Sequence, residues 1–170
     1  MNDTAREVIQ KLGEMGISHA LFAHPPAQTM ADCRAAEVAL NAVMPKNIFL
    51  CPRNQSSYFL LIARPNARFR TAEVSKQLGV SRLSFAPADK LWDYLKIRPG
   101  AISPMGLLFD EARAVTLAID AALRDVPMLA FHPCDNTSSL SISNEDFFMN
   151  FLPMLGYSPA FVEMRDQDDD

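Results

Sequence analysis

The eight residues from Pro99 to Gly106 constrain the path of the chain more than any other stretch of the sequence, and they read PGAISPMG. Two prolines hold the backbone angle φ at about −65°, and two glycines permit left-handed φ or the close approach of another group. A loop shaped in this way can direct backbone N–H groups toward one point. Such donors suit a site where negative charge develops on a carbonyl oxygen, although a turn without any function has the same composition.

Short apolar segments on both sides of this loop predict one α+β domain. Apolar residues at helical spacing and helix-capping signals predict helices over residues 4–15, 30–40, 71–78, 87–95 and 147–155. Short apolar runs between turn residues predict strands over 19–24, 47–51, 58–63, 82–85, 114–119, 128–131, 140–142 and 160–164. The strands over 47–51 and 58–63 are expected to form an antiparallel pair.

Several details of these elements are predicted as well. Thr29 is the expected N-cap of the second helix, and Leu91, Trp92 and Leu95 are expected to face the core. Pro153 is expected to kink or fray the last helix before Gly156 ends it.

Domain organisation follows from what the sequence lacks. It contains no internal repeat and no linker, which favours a single compact domain over residues 1–165 with a mixed, largely antiparallel central sheet flanked by helices. Residues 166–170, four of which are aspartates, are expected to be a disordered acidic tail. No apolar run approaches the roughly 18 residues of a membrane span, and the N-terminus lacks a signal-peptide pattern, so we expect a cytoplasmic protein with no membrane partner.

Charge is distributed unevenly along the chain. Between Lys46 and Arg98 there are ten basic and three acidic residues, whereas the rest of the chain has six basic and seventeen acidic ones. This asymmetry suggests a basic face for a polyanion, although the same charges could be scattered over a solvated surface.

Three residues outside the loop are candidates for chemistry. Lys46 follows Pro45 at the start of a strand, where its ammonium could bind a phosphate or simply lie on the surface. Asn47 beside it can donate and accept hydrogen bonds, or belong to an ordinary turn. His132 ends the apolar run 128–131, where it could hold a water, act as a base or be a satisfied structural histidine.

Other common chemistries are disfavoured. Cys134 is only two residues from His132, a spacing that rarely orients a nucleophile toward its base. Cys33, Cys51 and Cys134 are an odd number without a Cys-x-x-Cys pair, so we expect reduced thiols and neither a disulfide framework nor a zinc site. His19 and His24 are five residues apart on a predicted strand and would face opposite sides. Motifs for nucleotide hydrolysis, dinucleotide binding and zinc proteolysis are absent.

Taken together, the three segments 46–50 (KNIFL), 100–108 (GAISPMGLL) and 131–137 (FHPCDNT) resemble the YbaK/ProX family of aminoacyl-tRNA deacylases, and most closely its freestanding alanyl-tRNA(Pro) editing branch. The resemblance covers nearly the whole chain. It implies a compact mixed α/β fold, hydrolysis of a misacylated tRNA ester in trans, and no metal or other cofactor.

The resemblance also implies roles for particular residues. It assigns a catalytic role to Lys46, Asn47, Gly100 and His132, and it assigns substrate binding to Ala101, Ile102, Ser103, Pro104, Asp135 and Asn136. We expect backbone N–H groups of residues 100–104 to stabilise the oxyanion and Lys46 to steer the terminal phosphate or ribose. Asn47 and His132 would orient the ribose or a water.

The implied function is removal of alanine from proline tRNA while prolyl-tRNA is spared. The partners would be the acceptor end of proline tRNA and prolyl-tRNA synthetase. Two alternatives stay open: a deacylase for cysteinyl-, seryl- or threonyl-tRNA, and a non-catalytic module that binds charged tRNA or a synthetase through the basic middle third.

Overall fold

A computed structural model of the chain describes residues 1–168. Its helices are α1 (Asp3–Glu14), α2 (Arg34–Leu40), α3 (Thr71–Leu78), α4 (Ala88–Leu95) and α5 (Leu152–Leu155). Its strands are β1 (Ala20–Ala23), β2 (Lys46–Pro52), β3 (Tyr58–Ala63), β4 (Leu83–Phe85), β5 (Val115–Asp120), β6 (Met128–Phe131), β7 (Ser138–Ser143) and β8 (Ala160–Val162). Short 3₁₀ helices cover Pro104–Phe109 and Ala121–Asp125, and a π-helix over Asp146–Phe151 leads into α5.

The strands form two sheets. The larger sheet has the order β4-β2-β3-β5-β8, and the smaller one has the order β1-β7-β6. In the larger sheet β2 runs antiparallel to β3 and β4, whereas β5 runs parallel to β3 and β8. The smaller sheet is antiparallel throughout. The predicted mixed α/β fold and the antiparallel pair of β2 and β3 are therefore confirmed, but the single central sheet is corrected to two.

The larger sheet separates two parts of the core, and this decides which way its side chains point. Phe49 and Cys51 of β2 pack into the main core, whereas Leu50 packs into a smaller cluster with α3 on the other face. Because side chains alternate along a strand, Asn47 belongs to the face of Phe49, and Lys46 belongs to the opposite face. Every residue of β3 is buried, as expected for a strand covered on both sides.

Two helix predictions need correction. The helix predicted over 30–40 begins only at Arg34, because the Asp32 carboxylate accepts hydrogen bonds from the N–H groups of Gln28 and Thr29 and holds this segment in turns. Trp92 does not face the core: it is 40% exposed, and the guanidinium of Arg98 lies over its ring.

At the other end of the chain, the π-helix ends where α5 begins. Phe151 and Leu152 keep helical backbone angles through this junction, so Pro153 lies inside a continuous helical segment, just after the change from π- to α-helix. The irregularity expected from the proline appears as this change of helix type. Gly156 ends the helix with φ of 79°, as predicted.

The C-terminal segment remains attached to the larger sheet beyond residue 165. Arg64 donates a hydrogen bond to the carboxylate of Asp166 at 3.0 Å, and the N–H of Gln167 donates to Asn66 O at 3.0 Å. The first residues of the expected acidic tail are thus held in place, while Asp169 and Asp170 lie outside the described residues. The boundary at residue 165 stays a prediction. No helix among residues 1–168 is long and apolar enough to span a membrane.

Candidate functional site

A small pocket lies where the start of β2, the loop after α4 and the end of β6 meet. Its volume is about 180 Å³. Four of the residues singled out from the sequence line it together: Asn47, Gly100, Ile102 and His132. The remaining lining residues are Ala27, Gln28, Thr29, Met30, Cys33, Met44 and Pro45.

His132 presents an unprotonated nitrogen to this pocket. Its Nδ1 lies 2.9 Å from Ser138 O, and because a carbonyl can only accept, Nδ1 carries the proton and Nε2 has the free lone pair. Burial lowers the pKa of His132, with a further lowering from His24, against opposing effects of the Ser138 hydrogen bond and Asp135. The imidazole is therefore neutral at neutral pH and can accept a proton at Nε2.

A second histidine, His24, is linked to His132 through the hydroxyl of Ser139. Nδ1 of His24 donates to Pro25 O at 2.8 Å, so its Nε2 accepts from Ser139 Oγ at 2.8 Å. Ser139 Oγ in turn lies 3.4 Å from Nδ1 of His132. Sequence reasoning considered His24 only as a metal ligand, and its place in this chain of hydrogen bonds depends on the pairing of β1 with β7.

Asn47 lines the pocket and carries a buried acceptor without a partner. Its Nδ2 donates to Pro45 O at 3.2 Å, whereas its Oδ1 is buried and has no hydrogen-bond partner among the described residues. Leaving a buried acceptor unpaired costs about 1–3 kcal/mol.

The loop over residues 100–104 contributes unequally to the site. Gly100 has φ of 92°, which residues with a Cβ rarely adopt, and it lines the pocket together with Ile102. Ala101 and Pro104 are buried outside the pocket, and Ser103 caps the following 3₁₀ helix by accepting from the N–H of Met105. Within residues 1–168, the N–H groups of Gly100 and Ile102 have no acceptor, whereas that of Ala101 donates to Arg98 O.

Lys46 is not brought to the pocket. Its side chain leaves the opposite face of β2 from Asn47, and its Nζ donates to Ala67 O at 3.1 Å. Only Asn47 of this pair lines the pocket in the structure, so a joint role of Lys46 and Asn47 at one site stays a prediction.

Asp135 and Asn136 lie beside the site and not in it. The Asp135 carboxylate accepts from the N–H of Asn2 at 2.6 Å and from the N–H of Thr137 at 3.0 Å, so it fixes the N-terminus against the loop after His132. Asn136 O accepts from the N–H of Ala27, and its Nδ2 lies 3.6 Å from where a Cβ on Gly100 would be.

Cysteine chemistry is not favoured by the structure. Cys134 is buried in the main core with φ of 64°, and burial raises the pKa of its thiol. Cys33 does line the pocket, with Sγ 3.4 Å from Thr29 O and 4.0 Å from His132 Nε2, but burial raises its pKa too. Nowhere in residues 1–168 do three or more His, Cys, Asp or Glu residues gather as a metal site requires.

The pocket residues that sequence reasoning missed belong to the irregular segment before α2 and to the approach to β2. Gln28, Met30 and Met44 have the largest side chains among them. The only signal for this segment was the His24-Pro25-Pro26 break, which predicts an irregular path but not what it surrounds.

The residues around this pocket carry the kinds of groups that ester hydrolysis uses. A neutral imidazole can take a proton from a water, two backbone N–H groups can stabilise an oxyanion, and an amide oxygen can hold a hydroxyl or ammonium of the substrate. The small volume admits a small acyl group.

Comparison with known proteins connects this geometry to a family. A family profile described as "Aminoacyl-tRNA editing domain" matches residues 24–149. The chain is 32% identical over 144 residues to the prolyl-tRNA editing protein ProX of Acetoanaerobium sticklandii, covering 85% of this chain and 88% of that protein. It is 27% identical over 160 residues to the mouse prolyl-tRNA synthetase associated domain-containing protein 1, covering 92% and 94%.

Solved structures show the same fold at low sequence identity. A proposed trans-editing enzyme for prolyl tRNA synthetase superposes with a TM-score of 0.72 at 14% identity, covering 98% of this chain and 99% of that one. The hypothetical protein APE2540 superposes with a TM-score of 0.71 at 13% identity, covering 93% and 98%.

Proposed function

The chain belongs to the aminoacyl-tRNA editing domain family, and from its place among these aminoacyl-tRNA hydrolases we propose that it removes alanine from mischarged proline tRNA while sparing prolyl-tRNA. The observation that carries this proposal is the pocket of about 180 Å³ in which Asn47, Gly100, Ile102 and His132 meet. Its substrate is the charged tRNA, on which the protein acts in trans in the cytoplasm. Prolyl-tRNA synthetase is the enzyme whose errors it corrects.

Hydrolysis begins with a water beside His132. Nε2 accepts a proton from this water while the water oxygen attacks the ester carbonyl carbon. The negative charge that develops on the carbonyl oxygen is stabilised by the N–H groups of Gly100 and Ile102. The bond from the carbonyl carbon to the ribose oxygen then breaks, and the proton passes to that oxygen, giving free alanine and uncharged tRNA.

Asn47 positions the substrate. Its buried Oδ1 accepts a hydrogen bond from the neighbouring ribose hydroxyl or from the ammonium of alanine, which relieves the cost of the unpaired acceptor.

Size provides the selectivity. A synthetase site built for proline excludes alanine poorly, because each missing methylene is worth only about 1–3 kcal/mol. A second, smaller site can select in the opposite direction, because it admits alanine and excludes the larger proline ring by steric clash. Met30, Met44 and Ile102 line this pocket and are the side chains that proline would meet.

Lys46 retains its proposed role only through a movement. The resemblance implies that Lys46 binds the terminal phosphate or ribose. For this its ammonium would break its hydrogen bond to Ala67 O and bind the nucleic acid instead. A lysine side chain has a flexible four-carbon stem, which makes such an exchange inexpensive at a partly exposed position.

Deacylation assays test the proposal directly. Proline tRNA is charged separately with alanine, proline, serine and cysteine and incubated with purified protein, and each ester's loss in buffer alone is subtracted. We expect rapid loss of alanine and retention of proline. Preferential loss of serine or cysteine would mean that the protein is a hydrolase with a different substrate. Binding of all four charged tRNAs without hydrolysis of any would refute the proposal in favour of a binding module.

A further inference from the structure

The Nδ1–H of His132 lies near two oxygen atoms of β7. The carbonyl oxygen of Ser138 is 2.9 Å from Nδ1, and the hydroxyl oxygen of Ser139 is 3.4 Å from it. The carbonyl always accepts, because it has no proton to give. The hydroxyl either accepts from Nδ1–H or turns its own hydrogen toward the ring, so the direction of the Ser139 hydroxyl matters to His132.

His24 determines that direction. Its Nδ1 lies 2.8 Å from Pro25 O, which can only accept, so neutral His24 carries its proton on Nδ1. Its Nε2 is then an acceptor, 2.8 Å from Ser139 Oγ. Ser139 consequently donates its hydrogen to His24 and presents a lone pair to His132.

We propose that His24 and Ser139 are positioning residues for His132, an inference that rests on the function proposed above. Neither of them lines the pocket. Together they keep the proton of His132 on Nδ1 and leave its Nε2 free to accept a proton from water. They also stabilise the imidazolium that then forms, because its Nδ1–H is a stronger donor and meets two acceptors instead of one.

The backbone holds this group of side chains in place. Phe22 of β1 pairs with Ser139 of β7, so His24, which follows β1, lies beside that part of β7. The N–H of His24 donates to Thr137 O at 3.0 Å, in the loop after His132, and the centres of the two imidazole rings are 5.8 Å apart. Ser139 is fully buried, so water does not compete for its hydroxyl.

Two further ionisable groups lie near His132 and have to be separated from His24. Cys33 Sγ is 4.0 Å from Nε2 on the pocket side, and Asp135 follows His132 by three residues. Burial lowers the pKa of His132, with a further lowering from His24, whereas the Ser138 hydrogen bond and Asp135 raise it. Variants of His24 and Ser139 leave Cys33 and Asp135 unchanged.

Nitrogen-15 NMR of the imidazole rings tests the proposal without tRNA, because it distinguishes protonated from unprotonated ring nitrogens. The chain has three histidines, so the signals of His132 can be assigned by single substitutions. Spectra are recorded against pH for the full-length wild type, Ser139→Ala, His24→Ala, His24→Gln and the control Ser141→Ala. Ser141 is also buried, on the same face of β7 as Ser139, and within residues 1–168 its hydroxyl bonds to no histidine.

We expect Ser139→Ala to lower the pKa of His132 and to mix some Nε2–H tautomer into its spectrum, because the imidazole has lost one acceptor. Ser141→Ala should match the wild type. His24→Gln keeps an acceptor for the Ser139 hydroxyl but carries no charge, so it should retain the tautomer and raise the pKa of His132.

Deacylation kinetics give a second, independent measurement. Ser139→Ala and His24→Ala should lower kcat for alanyl-tRNA about tenfold and leave KM unchanged, because neither side chain contacts the substrate. His24→Gln should recover most of the lost kcat. Thermal unfolding followed by circular dichroism checks that Ser139→Ala and Ser141→Ala are folded alike.

A His132 spectrum, pKa and kcat in Ser139→Ala equal to those in Ser141→Ala would overturn the positioning role. Equal losses in His24→Gln and His24→Ala would show that His24 does not act by accepting from Ser139. If the wild type deacylates alanyl-tRNA and Ser139→Ala matches the control, the positioning role alone is wrong. If the wild type hydrolyses no charged tRNA yet Ser139→Ala changes the His132 spectrum and pKa as expected, the positioning of His132 stands and the proposed hydrolysis fails.

Discussion

Gly106 is the point at which the loop that shapes the pocket is held against the rest of the domain. A Cβ placed on it would lie 2.8 Å from Leu95 Cβ and 2.9 Å from Leu95 O, at the end of α4, and 2.6 Å from Ile97 Cδ1. The Ile97 methyl group can rotate away, but the two Leu95 atoms belong to or adjoin the backbone. Gly106→Ala should therefore push the loop away from α4 by several tenths of an ångström, a shift that reaches Gly100 and Ile102.

Overpacking of this kind costs about 1–3 kcal/mol, which for a chain of this size lowers Tm by roughly 2–12 °C. Because displaced catalytic groups lose rate steeply, we also expect kcat/KM for deacylation to fall at least about tenfold. Gly13→Ala is the matched control: it lies in α1 with nothing within 4 Å of its added Cβ, so it should raise stability by about 0.5 kcal/mol.

Thermal unfolding followed by circular dichroism, together with alanyl-tRNA deacylation, distinguishes the two variants. If Gly106→Ala raised Tm as Gly13→Ala does and kept full activity, the close packing of the loop on α4 would not be what positions the site.

The remaining predictions concern His132 and Lys46. His132→Gln removes the proposed base and should lower deacylation about 10²–10⁴-fold with a native circular dichroism spectrum; retention of more than a tenth of the activity would exclude the base role. In the wild type, the lowered pKa of His132 means that activity should stay flat through neutral pH and decline only below the ordinary value of about 6.5. The contribution of neutral His132 to the free energy of unfolding depends on pH in the same direction. It is complete above about pH 6.5 and is lost as the pH falls through the folded-state pKa, which urea unfolding at several pH values would show. Lys46→Met should raise KM for charged tRNA and reduce its salt dependence if the ammonium reaches a phosphate, with little change in Tm; unchanged kinetics would leave Lys46 with only its contact to Ala67 O.

Most helices and strands of this fold were predicted from local sequence patterns, because the formation of these elements depends on short-range periodicity and capping. The antiparallel β2–β3 pair, the extent of α3 over residues 71–78 and the end of α5 at Gly156 were all predicted from the sequence. The division into two sheets was not, because it depends on β1 pairing with β7 far along the chain.

The same distinction applies to the site. Asn47, Gly100, Ile102 and His132 were identifiable because they stand in segments that carry a family resemblance. The alternation of side chains along β2 was available to separate Lys46 from Asn47, and it outweighs their adjacency in sequence. Cys33 and Met30 come from turns whose path no periodicity describes, so only the three-dimensional structure shows that they line the pocket.

The pairing of β1 with β7 has a consequence for synthesis of the protein. Ala20 pairs with Ser141, so β1 has no partner strand until roughly 120 further residues have been made. At about 5–20 residues per second this takes on the order of ten seconds, to which is added passage through the ribosome. His24, which follows β1, cannot reach Ser139 before then, and the hydrogen bonds that link His24, Ser139 and His132 therefore form only after Ser139 has left the ribosome.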